Sequence, residues 1–144
     1  MIEAKTGDNR VRRLLDEMQL KYKIDGNGNF VVPFTVGEDR SQIVYIDSES
    51  RSVEGLEVCH VWSLGLRSDA ALNADLANAL LVYNASVDLG AWQLVRHNQD
   101  AGCTAIFVVP IAADTTTKAL RSVMHAVGRA ADDVEEKLSN EDTF

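Results

Sequence analysis

The chain has 144 residues, of which 46% are apolar and 25% charged, and this size and composition favour one globular domain with a core of its own. Its 22 acidic residues outnumber 14 lysines and arginines, giving a formal net charge of −8 that disfavours nucleic-acid backbones and anionic membranes as partners. The sequence has neither an apolar run long enough to span a membrane nor the apolar stretch of a secretory signal, and Cys59 and Cys103 lie in apolar segments, so we expect a cytoplasmic protein with reduced thiols.

The N-terminal half of the chain predicts one helix followed by a run of strands. Residues 8–20 place apolar side chains at three- and four-residue spacing, which is typical of an amphipathic helix, and Asp8 can cap its first turn. An extended segment over 21–25 is followed by the sequence Asp-Gly-Asn-Gly at 25–28, which favours a tight hairpin turn. Alternating apolar residues then predict strands over 30–36, 41–47 and 56–64, with a loop or a short irregular strand over 48–55.

The C-terminal half changes to helical spacing, returns to strands and ends in a helix. Residues 69–84 predict a second helix, with Ser68 or Asp69 as its N-cap and Asn84 as its terminator. Strands follow over 91–97 and 103–111, and Asp114 is the expected N-cap of a third helix that precedes an acidic tail over 139–144. The order is helix, three or four strands, helix, two strands, helix, which is an α+β arrangement. We expect a single domain over residues 1–144, with its ordered core over 8–138.

The strand predicted over residues 103–111 is apolar at both parities. Its odd-numbered residues from Cys103 to Ile111 face one way, and Ile106, Val108 and Pro110 face the other. A sheet with one wet face would alternate apolar with polar residues, so the second face needs a cover. Either a helix of the same chain or another molecule could supply it.

The motifs that carry chemistry are incomplete in this sequence. The turn at 25–28 resembles the opening of a calcium loop, but Phe30 and Val36 occupy the positions that require Gly and Glu. Ser63 lacks the Gly two positions before it that a nucleophile elbow needs. The three histidines have no acidic or Cys partner at ligand spacing, and Cys59 and His60 point to opposite sides of a strand. We therefore predict no catalytic, metal-binding or cofactor-binding residues.

A run of acids in the last predicted helix opposes the helix dipole and is not explained by helix stability. A solvated helix face is favoured for it over a metal site or a site for a basic partner. The run consists of Asp132, Asp133, Glu135 and Glu136.

Several short segments, taken in order, resemble the YbjN-type domain, a bacterial family with a fold similar to that of type III secretion chaperones, and cyanobacterial members are the most similar. These segments are Tyr22–Phe30, Arg40–Ile46, Val61–Ser63, Asn84–Ala85, Leu89–Leu94 and Val127–Glu135. The resemblance implies an antiparallel sheet of about five strands with three helices in the order α-β-β-β-α-β-β-α. It also implies a non-enzymatic role like that of the chaperones, which are acidic homodimers that bind an extended segment of a client, and it offers no catalytic residues.

Two functional hypotheses follow. In the first, the protein is a chaperone-like binding or regulatory module and a homodimer, with a polypeptide client held by large apolar side chains. The candidate anchors, each of which could instead be plain core, are Phe30, Val32, Trp62, Trp92, Phe107 and Val108. In the alternative, the protein is a small-molecule-sensing regulatory domain that uses polar groups on or beside strands. Those groups are Tyr45, His60, Gln93 and Arg96. An enzyme is the least favoured class.

Overall fold

A computed structural model describes residues 7–139 and contains three helices and one seven-stranded antiparallel sheet. The elements in chain order are α1 (Asn9–Glu17), β1 (Lys23–Ile24), β2 (Phe30–Gly37), β3 (Arg40–Ile46), β4 (Arg51–Val53), β5 (Leu56–Ser68), α2 (Ala74–Ser86), β6 (Ala91–Arg96), β7 (Cys103–Ala112) and α3 (Thr117–Ser139). The strand order across the sheet is β1-β2-β3-β5-β7-β6, and β4 forms a hairpin with β5. The predicted α+β class and the three helices are confirmed, and the sheet gains two short strands, β1 and β4.

All three helices contribute to one core on one face of the sheet. Helix α3 crosses β2, β3, β5 and β7, while α2 lies against β6 and α1 against α3. The core joins helix residues such as Leu15, Leu80 and Leu120 to strand residues that face the same side of the sheet, for example Val44 and Phe107. Burial of this face is the main stabilising contribution to the fold.

The predicted hairpin at residues 25–28 connects β1 to β2. The Asp25 carboxylate accepts hydrogen bonds from the backbone N–H groups of Asn27 and Asn29, at 2.9 and 3.0 Å. Gly28 has a φ of +83°, which residues with a side chain rarely adopt. The Asp-Gly-Asn-Gly sequence is therefore used for its turn chemistry.

Two helices begin later than the sequence predicts. Ser68 donates to the Ala70 carbonyl in a local turn, so α2 begins only after Asn73, whose side chain accepts from Leu76 N–H at 2.8 Å. Neither Ser68 nor Asp69 is its cap. Likewise, Thr116 Oγ1 accepts from Ala119 N–H at 3.1 Å at the start of α3, where Asp114 was the expected cap. In both cases a polar residue nearer the first turn caps the helix.

Asn84 does not terminate α2, which continues to Ser86. Its side-chain oxygen accepts from the Trp92 backbone N–H at 2.6 Å, and its amide nitrogen lies 3.4 Å from the Trp92 carbonyl oxygen. Trp92 belongs to the edge strand β6. Asn84 therefore occupies part of the sheet edge that a further strand would otherwise pair with.

Strand β5 extends four residues beyond the predicted strand, to Ser68, because it pairs with β7 along nearly its whole length. Its register shifts between Leu64 and Leu66, so Gly65 forms a bulge. A Cβ at Gly65 would lie 2.3 Å from the ring of Trp92, which is itself buried. The close approach of this ring explains why a glycine occupies the bulge.

The acidic run of α3 has partners within the chain. The interpretation as a solvated face fits Glu135 and Glu136, which are exposed, but not Asp132 and Asp133, which are half-buried. Asp132 accepts from Arg40 Nε at 3.0 Å and from the Gln42 amide at 3.2 Å, and Glu135 accepts from the same amide at 2.7 Å. Asp133 accepts from the Tyr83 hydroxyl at 3.0 Å. These bonds attach α3 to β3 and α2. The predicted acidic tail beyond Ser139 lies outside the described residues.

Candidate binding face

One face of the sheet has no helix over it in the part of the chain that the structure describes, and we call it the open face. A single row of cross-strand neighbours defines it across six strands. The row is Lys23, Val31, Tyr45, Trp62, Val108 and Ala91. None of these side chains belongs to the helix-covered core. Within residues 7–139, therefore, no helix covers the second side of the 103–111 strand.

The centre of the open face is a stacked aromatic pair. The rings of Tyr45 and Trp62 lie 4.2 Å apart at an angle of 12°. Trp62 Nε1 donates to Asp47 Oδ1 at 2.9 Å, which fixes the orientation of the indole. The other carboxylate oxygen of Asp47 lies 3.8 Å from His60 Nδ1 and 4.0 Å from Arg51 Nη2. The Tyr45–Trp62 pair, which we call the aromatic ridge, is thus held at one end by the polar cluster of Asp47, His60 and Arg51.

A groove lies on each side of this ridge. The first, which we call the lysine groove, has a volume of about 470 Å³ and is lined by Lys21, Tyr22, Lys23, Val31, Pro33, Ile43 and Tyr45. The second, the histidine groove, has a volume of about 500 Å³ and is lined by Asp47, Arg51, His60, Trp62, Leu64, Gln93, Val95, Thr104, Ile106 and Val108. Both floors are largely apolar, and both grooves carry cationic side chains.

The two grooves meet where the sheet comes apart. Strands β3 and β5 pair only at Tyr45–Trp62 and Ile46–Val61, although both continue beyond. Past that point the Ser63 hydroxyl donates to the Ile43 carbonyl at 2.7 Å, in place of a backbone bond. A crevice of about 340 Å³ opens there and shares Ile43 and Tyr45 with the lysine groove and Leu64 with the histidine groove. The three concavities therefore form one continuous track.

Large aliphatic side chains along this track are exposed to solvent. Ile43 is 40% exposed, Leu64 45% and Val95 47%, and they come from three different strands. Scattered apolar residues are ordinary on a protein surface, but a contiguous apolar patch with a polar rim is typical of an interaction site. The open face has that arrangement.

The structure divides the six predicted anchors between the two faces. Phe30, Val32, Trp92 and Phe107 lie on the helix-covered side and are at most 6% exposed, so they are core residues and unavailable to a partner. Their expected role as anchors is wrong because they share the parity that the helices cover. Trp62 and Val108 lie on the open face, although Val108 is only 3% exposed between its neighbours.

The exposed aliphatic residues of the track were missed by the sequence reasoning. Ile43 and Leu64 belong to strands that, like β7, are apolar at both parities. That double parity was used as a signal only for residues 103–111. Applied to 41–47 and 56–64, it would have indicated an open apolar face.

The four polar groups proposed for a small-molecule site are not all brought together. His60 and Gln93 line the histidine groove, and Tyr45 lines the lysine groove. Arg96 lines a separate cavity of about 680 Å³ at the β6–β7 turn. In that turn, His97 Nδ1 lies 2.8 Å from Asp100 Oδ1, so this histidine does have an acidic neighbour, contrary to the sequence interpretation.

The Asp100 carboxylate makes hydrogen bonds within the β6–β7 turn. The Gly102 backbone N–H donates to it, and this bond, followed by that of His97, holds the pKa of Asp100 below its usual range. His97 Nε2 lies 2.8 Å from Thr104 Oγ1 on the next strand. The three side chains close the hairpin between β6 and β7.

Both cysteines are free and buried. They lie at opposite ends of the β5–β7 ladder, where Cys59 pairs with Ile111 and Cys103 with Ser68. Burial raises the pKa of the Cys59 thiol to about 11, so the thiol is protonated and unreactive at neutral pH. Within residues 7–139, no three His, Cys, Asp or Glu side chains are grouped closely enough to hold a metal ion. In the same range, no helix is both long and apolar enough to cross a membrane.

No protein-family model matches the chain, and no curated protein matches its sequence. Among solved structures, the crystal structure of YbjN from E. coli, described as a proposed transcription regulator, is similar with a TM-score of 0.59. The two chains are 13% identical, and 92% of each is covered. At this identity the likeness concerns the fold and not the function. It agrees with the fold that the sequence resemblance implied, and the chain therefore has a YbjN-like fold.

Proposed function

We propose that the protein is a binding module without catalytic activity, and that its open face holds a segment of another polypeptide. The observation that carries this proposal is the exposure of Ile43, Leu64 and Val95 around the Tyr45–Trp62 pair, on a face that no helix of residues 7–139 covers. Removing such side chains from water on binding contributes about 25 cal/mol per Å² of apolar area. The aromatic ridge gives a partner a rigid surface to pack against.

The test uses a permanently unfolded polypeptide, reduced and carboxymethylated α-lactalbumin, and measures its binding by fluorescence anisotropy. We expect Leu64→Asn to weaken binding by about tenfold or more, because it places an amide where the partner's apolar groups would be buried. Leu89→Asn is the matched control, since Leu89 is 44% exposed, close to the 45% of Leu64, and lines neither groove nor the crevice between them. Equal binding by both variants, or no binding by the unmodified protein, would contradict the proposal.

A second candidate is small-molecule sensing in the histidine groove. Its volume of about 500 Å³ lies within the range of ligand pockets, and Asp47, Arg51 and His60 supply convergent polar groups beside the Trp62 ring. A thermal-shift screen of nucleotides and metabolites tests this alternative. A stabilising ligand whose effect disappears in His60→Ala would favour it over polypeptide binding.

We further propose that the protein self-associates through a different surface. Leu81 and Val82 of α2 are 65% and 70% exposed, the highest values among the large apolar residues that the structure describes. They belong to a helix whose other side reaches the core through Leu80. A second copy of the chain is the occupant that we propose for this patch, which leaves the open face free for a client.

A further inference from the structure

We propose that the polypeptide held on the open face is an extended segment in which acidic residues alternate with apolar ones. This inference rests on the proposed function and adds the chemistry of the partner. Its carboxylates would lie near Lys21 and Lys23 in one groove and near Arg51 in the other, with apolar side chains between them.

The open face carries positive charge in a protein whose net charge is −8. Lys21 and Lys23 line the lysine groove, and Arg51 lines the histidine groove. Asp47 is the one acid among the residues that line the two grooves, and Glu135, which accepts from the Gln42 amide, lines the crevice between them. The Asp47 carboxylate already accepts from the Trp62 indole and faces His60 and Arg51, so its negative charge is largely compensated within the chain.

Lys21 and Lys23 have no carboxylate within ion-pair distance among residues 7–139, and both are exposed. Lys23 is the direct cross-strand neighbour of Val31, which forms part of the apolar floor. By contrast, Arg40 on the edge of the helix-covered side is paired with Asp132 and Glu136. Unpaired cations beside an apolar floor are complementary to a segment with both acidic and apolar side chains.

The shape of the track favours an extended chain over a helix. The Tyr45–Trp62 ridge divides the two grooves, and a helix about 10 Å wide would rest on the ridge without filling either groove. Six strands spaced about 4.8 Å apart give a track of roughly 24 Å, which about seven extended residues span. Side chains of an extended chain alternate in direction. A segment that places apolar residues toward the sheet and acids toward the rim therefore matches both the exposed aliphatic side chains and the cations of the track.

The same charges disfavour two other occupants. In a symmetric contact between two copies, the same patch meets itself, so the cations of one open face would oppose those of the other. A nucleic acid would need many more cations than the three that line these grooves, and it would be repelled by the net charge of −8. An acidic and apolar polypeptide segment satisfies both the charge and the exposed aliphatic side chains.

The test compares three labelled nine-residue peptides in fluorescence anisotropy: alternating valine and glutamate, and the same peptide with glutamine or with lysine in place of glutamate. We expect the glutamate peptide to bind at least about tenfold more tightly than the glutamine peptide, and the lysine peptide to bind least. Raising the salt concentration should weaken the glutamate peptide and leave the glutamine peptide nearly unchanged.

The double variant Lys21→Glu with Lys23→Glu should remove the preference for glutamate. The control is Lys118→Glu with Arg121→Glu, which changes the net charge equally but lies on exposed positions of α3. Circular dichroism of both variants verifies that they fold.

Equal binding of the three peptides would overturn the acidic preference and leave the proposed function standing. No binding of any peptide, together with no binding of carboxymethylated α-lactalbumin, would overturn both. Tighter binding of a single-stranded oligonucleotide than of the glutamate peptide would overturn the polypeptide assignment. An unchanged preference in the Lys21→Glu, Lys23→Glu variant would show that these lysines do not select the partner.

Discussion

The contact between Tyr83 and Asp133 joins two helices through a single hydrogen bond. The Tyr83 hydroxyl donates to Asp133 Oδ2 at 3.0 Å, and the ring also meets Trp92 and Phe107 edge to face. Burial, followed by the carboxylate of Asp133, raises the pKa of Tyr83 to about 12 from its usual 10. The phenol is therefore a neutral donor throughout the physiological pH range.

This shift predicts how stability and titration depend on alkaline pH. Because the folded-state pKa lies above that of the unfolded chain, the stabilisation is complete below pH 10 and is lost as the pH rises through 12. In a spectrophotometric titration, Asp133→Asn should allow Tyr83 to ionise at lower pH than in the unmodified protein, although burial keeps its pKa above 10. Asp88→Asn, at an exposed loop position, is the control and should leave the titration curve of Tyr83 unchanged. If Tyr83 ionises at the same pH in Asp133→Asn as in the unmodified protein, this account is contradicted.

At the scale of elements, the strand edge of β6 is protected by a side chain of the neighbouring helix. Asn84 imitates a backbone partner for Trp92, with its oxygen and nitrogen both directed at the same residue. The backbone N–H and C=O groups of successive residues in a strand point to alternate sides, so those of residues 92, 94 and 96 in β6 all point to the same side, away from β7. Asn84 thus covers one end of an edge that continues to Arg96.

Removal of this side chain should loosen the edge. We expect Asn84→Ala to lower the free energy of unfolding by about 1–2 kcal/mol, because the Trp92 N–H loses its acceptor in a largely buried position. Urea denaturation measures the change, and hydrogen exchange at Trp92 should become faster. Asn78→Ala on the exposed side of the same helix should be neutral or slightly stabilising, since alanine is the better helix former. A loss of stability no greater for Asn84→Ala than for Asn78→Ala would disprove the edge role.

The elements themselves follow from periodicity, while the roles of particular residues depend on neighbours that are distant in sequence. The alternation in β2 and the spacing in α1 predict both elements, because each depends on one buried face, although α1 ends at Glu17 and not at residue 20. Asn84 looked like a helix terminator because its partner, Trp92, becomes a neighbour only after β6 folds against α2. The anchors were misjudged for a similar reason, since the sequence shows that β7 is apolar on both sides but not which side the helices cover.

At the scale of the whole molecule, two groups of exposed apolar side chains carry the proposed contacts, and they lie on different elements. One is the open face with Ile43, Leu64 and Val95; the other is the outer side of α2 with Leu81 and Val82. Two separate patches allow one to bind a client while the other joins two copies. The acids of α3 are engaged within the chain, so neither patch depends on them.

Light scattering after size exclusion tests the self-association. We expect a mass of about twice 15.8 kDa for the unmodified protein at high micromolar concentration. Leu81→Glu should weaken association by at least about tenfold, because it buries a charge in an apolar contact, while Leu64→Glu should leave the mass unchanged. A monomer for the unmodified protein, or a dimer that persists in Leu81→Glu, would refute the assignment of the α2 patch.

The short ladder between β3 and β5 has a mechanical consequence. Two residue pairs, the Ser63–Ile43 bond and the bonds of Asp47 to His60 and Trp62 join a three-stranded unit, β1 to β3, to a four-stranded unit, β4 to β7. Helix α3 bridges the two units on the core side, while the open face has no such brace within residues 7–139. We therefore expect the sheet to bend between these two units, along the line of the Tyr45–Trp62 pair. Such bending would change the spacing between the lysine and histidine grooves while the longer β2–β3 and β5–β7 ladders keep their shape.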